Sequence, residues 1–81
     1  MILIDDNIIT RIRKITIENN EIILYTYLDS NILDLIYGKK YFNFSINNYI
    51  YNVEINSINY IKCRNGLYAF KFNIKEAANN A

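Results

Sequence analysis

Asp5-Asp6 and the pair Asp29 and Asp34 are the carboxylates of this chain whose spacing could do chemistry. Paired carboxylates can share acid and base roles in glycoside hydrolysis or bind Mg²⁺ through oxygen. Each also has a plainer role. Asp5-Asp6-Asn7 reads as a turn after a short first strand, and Asp29 as a helix cap with Asp34 on the solvent side. The 81 residues contain no His and one Cys. The usual zinc, haem and iron–sulfur ligand sets therefore cannot be assembled, nor can a Ser-His-Asp or Cys-His arrangement. Gly38 and Gly66 are isolated and both suit turns, so no Gly-rich phosphate loop exists. No catalytic residue, metal site or cofactor is expected, and the chain reads as a non-enzymatic protein.

Two surfaces carry recognition chemistry instead. The first combines Tyr60, Lys62, Arg64, Lys71 and Lys75, with Lys39-Lys40 as neighbours in reserve. Cations for phosphates beside aromatic rings for bases are the means by which small β domains hold single-stranded nucleic acid or nucleotides. The plainer account is a solvated face whose lysines guard a sheet edge. The second surface is Ile23, Tyr25 and Tyr27, which alternate with Ile22 and Leu24 and make one strand apolar on both sides. Such a strand must be covered, either by the chain's own helix or by a partner.

The elements that must position these residues follow from three turns. Asn19-Asn20, Asn47-Asn48 and Asn65-Gly66 each lie between runs rich in Ile, Tyr, Phe and Thr. Asn and Gly tolerate the positive φ of two-residue hairpin loops, so three tight hairpins are expected. Counting outward from each turn gives the cross-strand partners. About the first, Ile17/Ile22 and Ile15/Leu24 point inward, with Thr16/Ile23 and Lys14/Tyr25 outward. About the second, Ile46/Tyr49, Phe44/Tyr51 and Phe42/Val53 share the core face, and Tyr41/Glu54, Asn43/Asn52 and Ser45/Ile50 the other. About the third, Cys63/Tyr68, Ile61/Phe70 and Asn59/Phe72 are expected inside, with Ile74 continuing that face. Arg64/Leu67, Lys62/Ala69 and Tyr60/Lys71 are expected outside, which would put Lys62, Arg64, Lys71 and Lys75 on one side of one hairpin. Cys63 then reads as a small buried hydrophobe.

Ile8, Thr10 and Ile12 keep even parity whereas Ile15 and Ile17 keep odd, so a β-bulge is expected near Arg13-Lys14. A similar conflict at Asn56-Ser57 calls for a corner or a wide turn. Between the first two hairpins, apolar residues at 32, 33, 35 and 36 change the period from two to that of a helix. Asp29 or Ser30 would cap it, Gly38 would end it in the left-handed region, and Lys39-Lys40 would face its negative end.

The chain is thus expected to be one mainly β domain over residues 1–75 with a frayed tail at 76–81. The expected architecture is a small antiparallel sheet or barrel of six to seven short strands with one short helix after the first hairpin. The alternative is an α+β arrangement with the helix packed on one sheet face. A single cysteine and an N-terminus that turns acidic early favour the cytoplasm, and no apolar run approaches the roughly 20 residues that span a bilayer, so no membrane association is expected. A formal net charge of +1 leaves any attraction to polyanions to a local patch. Ile, Asn, Lys, Tyr and Phe have A- and T-rich codons, and part of their abundance reads as an AT-rich genome.

The functional expectation is a small module acting by protein–protein interaction or self-association through Ile23, Tyr25 and Tyr27. It would be an accessory or inhibitor-type protein of the kind phages and mobile elements encode. The alternative is nucleic-acid or anionic-nucleotide binding through Tyr60, Lys62, Arg64, Lys71 and Lys75. A structural subunit of a larger assembly is a third reading.

Overall fold

The computed structural model describes residues 1–27, 29–55 and 60–79, excepting the side chains of Tyr60 and Asn79. It is mainly β, with eight antiparallel strands in one open sheet and a single short helix. In chain order these are β1 (Ile2–Ile4), β2 (Asn7–Ile8), β3 (Ile12–Glu18), β4 (Glu21–Tyr27), α1 (Ile32–Ile36), β5 (Tyr41–Ile46), β6 (Tyr49–Glu54), β7 (Tyr60–Lys62) and β8 (Leu67–Asn79). The strand order is β2-β1-β5-β6-β8-β4-β3, with β7 beside β8.

That order forces curvature. Its two terminal strands, β2 and β3, are consecutive in the chain and separated only by residues 9–11. Laid flat, seven strands would put the edges about 29 Å apart. The link from Ile8 to Ile12 can span only about 14 Å. The sheet must therefore coil until its two edges approach, and the hollow of the coil is the core. Ile4, Ile22, Leu24, Phe42, Phe44, Val53, Phe70 and Phe72 fill it from the strands, Ile9 and Ile55 from the links just past β2 and β6, and Ile32 and Ile36 from α1. Three phenylalanines knit it: Phe42 meets Phe72 edge-on at 5.2 Å, and Phe44 lies 6.2 Å from each of them.

The local chemistry follows the turns. Asn19 and Asn20 both take positive φ, at 52° and 58°, and β3 pairs with β4 in the expected register. The register shifts between Ile12 and Lys14, the predicted bulge. The second hairpin has the predicted partners throughout, from Ile46↔Tyr49 to Tyr41↔Glu54. Its turn has positive φ at Asn47 but not at Asn48, which makes it the II′ kind of primed turn. Asp5-Asp6 proves to be a fourth two-residue hairpin turn, with φ of 47° and 68° between the paired Ile4 and Asn7.

Four expectations are corrected. The third turn has its positive φ at Asn65 and Gly66, and Leu67 N–H donates to the Arg64 carbonyl. Cys63 N–H also donates to the Leu67 carbonyl, so two residues face one across the ladder. This bulge slips everything upstream by one: Lys62 pairs with Tyr68, Ile61 with Ala69 and Tyr60 with Phe70. Cys63 is accordingly only half-buried, and Ile61 is 54% exposed. The tail does not fray through residue 79, because residues 76–79 pair with β6 after a second register shift past Asn52/Val53. The helix is shorter than expected and begins after Asn31, although Gly38 does end its C-terminal turn at φ +77°. It also lies on the inner face of β4, not over Tyr25. Asn59/Phe72 and the corner at Asn56-Ser57 lie outside the described residues, as do residues 80–81.

Asn31 explains where the helix sits. Its Oδ1 accepts from Thr10 N–H (2.9 Å) and Thr10 Oγ1 (3.2 Å), while Nδ2 donates to the Ile8 carbonyl (2.8 Å). The side chain therefore makes no cap bond to its own helix. It ties α1 to the link between the two sheet edges and so turns Ile32 and Ile36 into the coil. Asp5 makes a second tie: Oδ1 accepts from Asn43 N–H at 2.9 Å and Oδ2 from Lys39 Nζ at 2.6 Å. Burial pushes the Asp5 carboxyl up, but the Asn43 N–H and the Lys39 ammonium together hold it below its ordinary value of 3.8. A lowered folded pKa gives stability that is complete above the unfolded value and lost as pH falls through the folded one. In urea titrations, the midpoint difference between wild type and Asp5→Asn should hold constant above about pH 5 and shrink below about pH 4. A constant difference down to about pH 2 would mean the tie carries no charge energy.

Candidate interaction face

Opposed residues in a sheet share a face, so the outer side of the coil can be read row by row from the register. Thr16, Ile23 and Lys71 form one row across β3, β4 and β8. Lys14, Tyr25, Ala69 and Ile61 form the next, which reaches β7. Tyr27 and Leu67 form a third. Ile23, Tyr25 and Tyr27 therefore stand side by side on this face, which also takes in Lys71, Ala69 and Leu67 of β8 and Ile61 of β7. Ala69 is 5% exposed, whereas Ile23, Tyr25, Tyr27 and Leu67 are half-buried.

Cations rim this apolar band. The Arg11 guanidinium lies 5.3 Å from the Tyr27 ring centroid, and Lys14 Nζ lies 5.9 Å from that of Tyr25. Both placements favour a charge over the ring face. Arg11 holds a left-handed φ of 63°, unusual for a residue with a long side chain, and its carbonyl accepts from Tyr27 N–H (3.1 Å) and from the buried Thr26 Oγ1 (2.9 Å). Arg11 Nε also donates to Asp29 Oδ1 at 2.9 Å. Together with Tyr27, Asn65 and Gly66, this pair lines a shallow cleft of about 260 Å³ at one end of the face.

The chain matches no protein-family model, no curated protein and no solved structure.

The basic set expected on the third hairpin is not gathered in one place. Lys71 stands on the outer face opposite Ile23, whereas Lys62 is paired with Tyr68, whose ring packs against the core on the other face. Tyr60 has Phe70 as its register partner. Lys75 lies at the register shift between β6 and β8, where Nζ meets Glu54 Oε2 at 3.2 Å. Arg64 is exposed at the turn. One bulge separates Lys62 from Lys71, because side chains alternate with period two, and the second register shift separates Lys75.

The carboxylate pairs are likewise separated by function. Asp5 is engaged by Asn43 and Lys39, Asp29 by Arg11, and Asp34 is exposed on the first turn of α1. Among the described residues no three His, Cys, Asp or Glu side chains converge as metal ligands, and no helix is long and apolar enough to cross a membrane. Arg11 and Asn31, which hold these arrangements together, gave no signal in the sequence, since each acts through a partner 18 to 23 residues away; Asn43 was legible as the partner of Asn52 but not as that of Asp5, 38 residues away.

Proposed function

We infer that the protein is a binding module that docks another protein on the outer face of β3, β4, β8 and β7. The observation that carries this reading is the band of Ile23, Tyr25, Tyr27, Leu67 and Ile61, over which no described strand or helix lies, with α1 on the opposite side of β4. Half-buried tyrosines and aliphatic side chains within a charged rim match the composition of protein-binding hot spots. An accessory or inhibitor-type role, in which the module occludes a target surface, fits a face of this kind.

Nucleic-acid binding is the second reading, because Tyr25 and Tyr27 stand with Lys14, Arg11 and Lys71 on one face. Against it, Glu18, Glu21 and Asp29 flank those three cations, and Asp29 already holds Arg11. A strip of balanced charge attracts a polyanion weakly.

The test places a photo-crosslinker at position 25 or, as a control on the other half of the sheet, at position 43. Position 25 is expected to yield a protein adduct and position 43 none. Tyr25→Glu should lower recovery of that partner at least tenfold while leaving the fold intact by circular dichroism, since a half-buried surface tyrosine at a hot spot contributes about 2 kcal/mol or more. Equal adducts from both positions would remove this reading. Single-stranded DNA or RNA binding that weakens steeply with salt and is lost in Tyr25→Glu would put the second reading first.

A further inference from the structure

The strand β3 ends the sheet, and among the described residues no strand pairs with its outer edge. Its bulge lies at the N-terminal end, between Ile12 and Lys14, so residues 14–18 run regularly. Because Glu18 and Glu21 close a two-residue hairpin, they exchange both hydrogen bonds. By alternation Thr16 and Lys14 also bond toward β4, and the N–H and C=O groups of Ile15 and Ile17 point away from the sheet. An unguarded edge of this kind is a template for another strand.

We propose that the strand it takes is β3 of a second copy, paired antiparallel about a two-fold axis at Thr16. In that register Ile15 lies opposite the partner's Ile17 and exchanges both backbone hydrogen bonds with it, giving four across the axis. Thr16 faces the partner's Thr16, a favourable cross-strand pair. Lys14 faces the partner's Glu18, twice by symmetry. Centring the axis on Ile15 or Ile17 instead leaves Lys14 and Glu18 without each other.

Two features of the single chain agree with this choice. Ile17 is 42% exposed although its neighbour Ile15 packs against the core, and the pairing would cover it. Glu18 and Glu21 oppose each other directly on the outer face and form no ion pair among the described residues. Like charges so placed repel, and a lysine from the second copy offsets them. The dimer goes beyond the docking reading, since it uses the edge of β3 while a partner would use the face. It would join the faces of two copies side by side.

Sedimentation equilibrium of the full chain tests it. The mass is expected to rise from 9.6 kDa toward twice that value as concentration approaches the millimolar range. Ile17→Pro removes an outward N–H without touching the β4 ladder and should return the protein to one chain. Lys14→Glu should weaken the dimer about tenfold, because both symmetry-related pairs become repulsive, and Lys14→Glu combined with Glu18→Lys should restore it. Ile61→Glu, on the far side of the face, should leave it unchanged, which separates the edge from the docking face. A single-chain mass at every concentration would overturn the proposal. So would a dimer that Ile17→Pro and Lys14→Glu both leave intact, or one that the double exchange fails to restore.

Discussion

Phe44→Ala is expected to lower unfolding free energy by about 3 to 5 kcal/mol. Phe44 has no solvent exposure, pairs with Ile4 on one side and Tyr51 on the other, and completes the ring cluster with Phe42 and Phe72. Removing it opens a cavity where β1, β5 and β6 are held to β8. A domain of 81 residues has a total stability of about 4 to 12 kcal/mol, so the loss takes at least about a quarter of it. Phe44→Leu, which conserves most of the volume, should cost about 1.5 kcal/mol or less. Urea denaturation followed by circular dichroism measures both. A loss under about 1 kcal/mol for the alanine variant would show that the phenylalanine cluster is not the centre of the core.

Ile36→Asp is the second large effect, about 4 kcal/mol or more, and it tests where the helix lies. Ile36 is 1% exposed in the same cluster as Ile22 and Leu24. The substitution removes apolar burial and puts a carboxylate without a partner in the hollow of the coil. Leu33 belongs to the same five-residue helix but is 42% exposed, and Leu33→Asp should change stability by no more than about 0.5 kcal/mol. A helix lying outside the sheet, over Tyr25, would respond differently: Ile36→Asp would detach it and leave the strands folded. The expected result is loss of the whole cooperative transition at lower urea. A small helical change with an unaltered strand signal would reverse the assignment of the inner face.

Both variants probe what was only partly legible in the chain. The first two hairpins could be read to the residue, because Asn19-Asn20 and Asn47-Asn48 set turns of two and each register then follows by counting. The bulge near Arg13 was equally legible, since a parity change in an alternating strand has few other causes. At the third hairpin the turn was correctly located at Asn65-Gly66 and the register was still off by one. Cys63 and Arg64 share one partner there, and neither residue type distinguishes a bulged from a regular position. That single residue moved Lys62 away from Lys71, and the shift between β6 and β8 set Lys75 apart. The tyrosines of β4 fared better, because Ile23, Tyr25 and Tyr27 are neighbours within one strand and no register error can separate them.

Local sequence therefore determined the strands, their tight turns, the alternation of faces and the apolar band of β4, all of which depend on contacts within a few residues. The tertiary structure alone decided which side of β4 the helix takes, how the sheet coils between β2 and β3, and which cations share a face with which rings. Those outcomes rest on long-range partners such as Asn31 with Ile8 and Thr10, Asp5 with Lys39 and Asn43, and Arg11 with Asp29. The physical reason is that a turn needs only a favourable φ at one or two residues, whereas a face is assembled from strands far apart in the chain, and one bulged residue exchanges its inside for its outside.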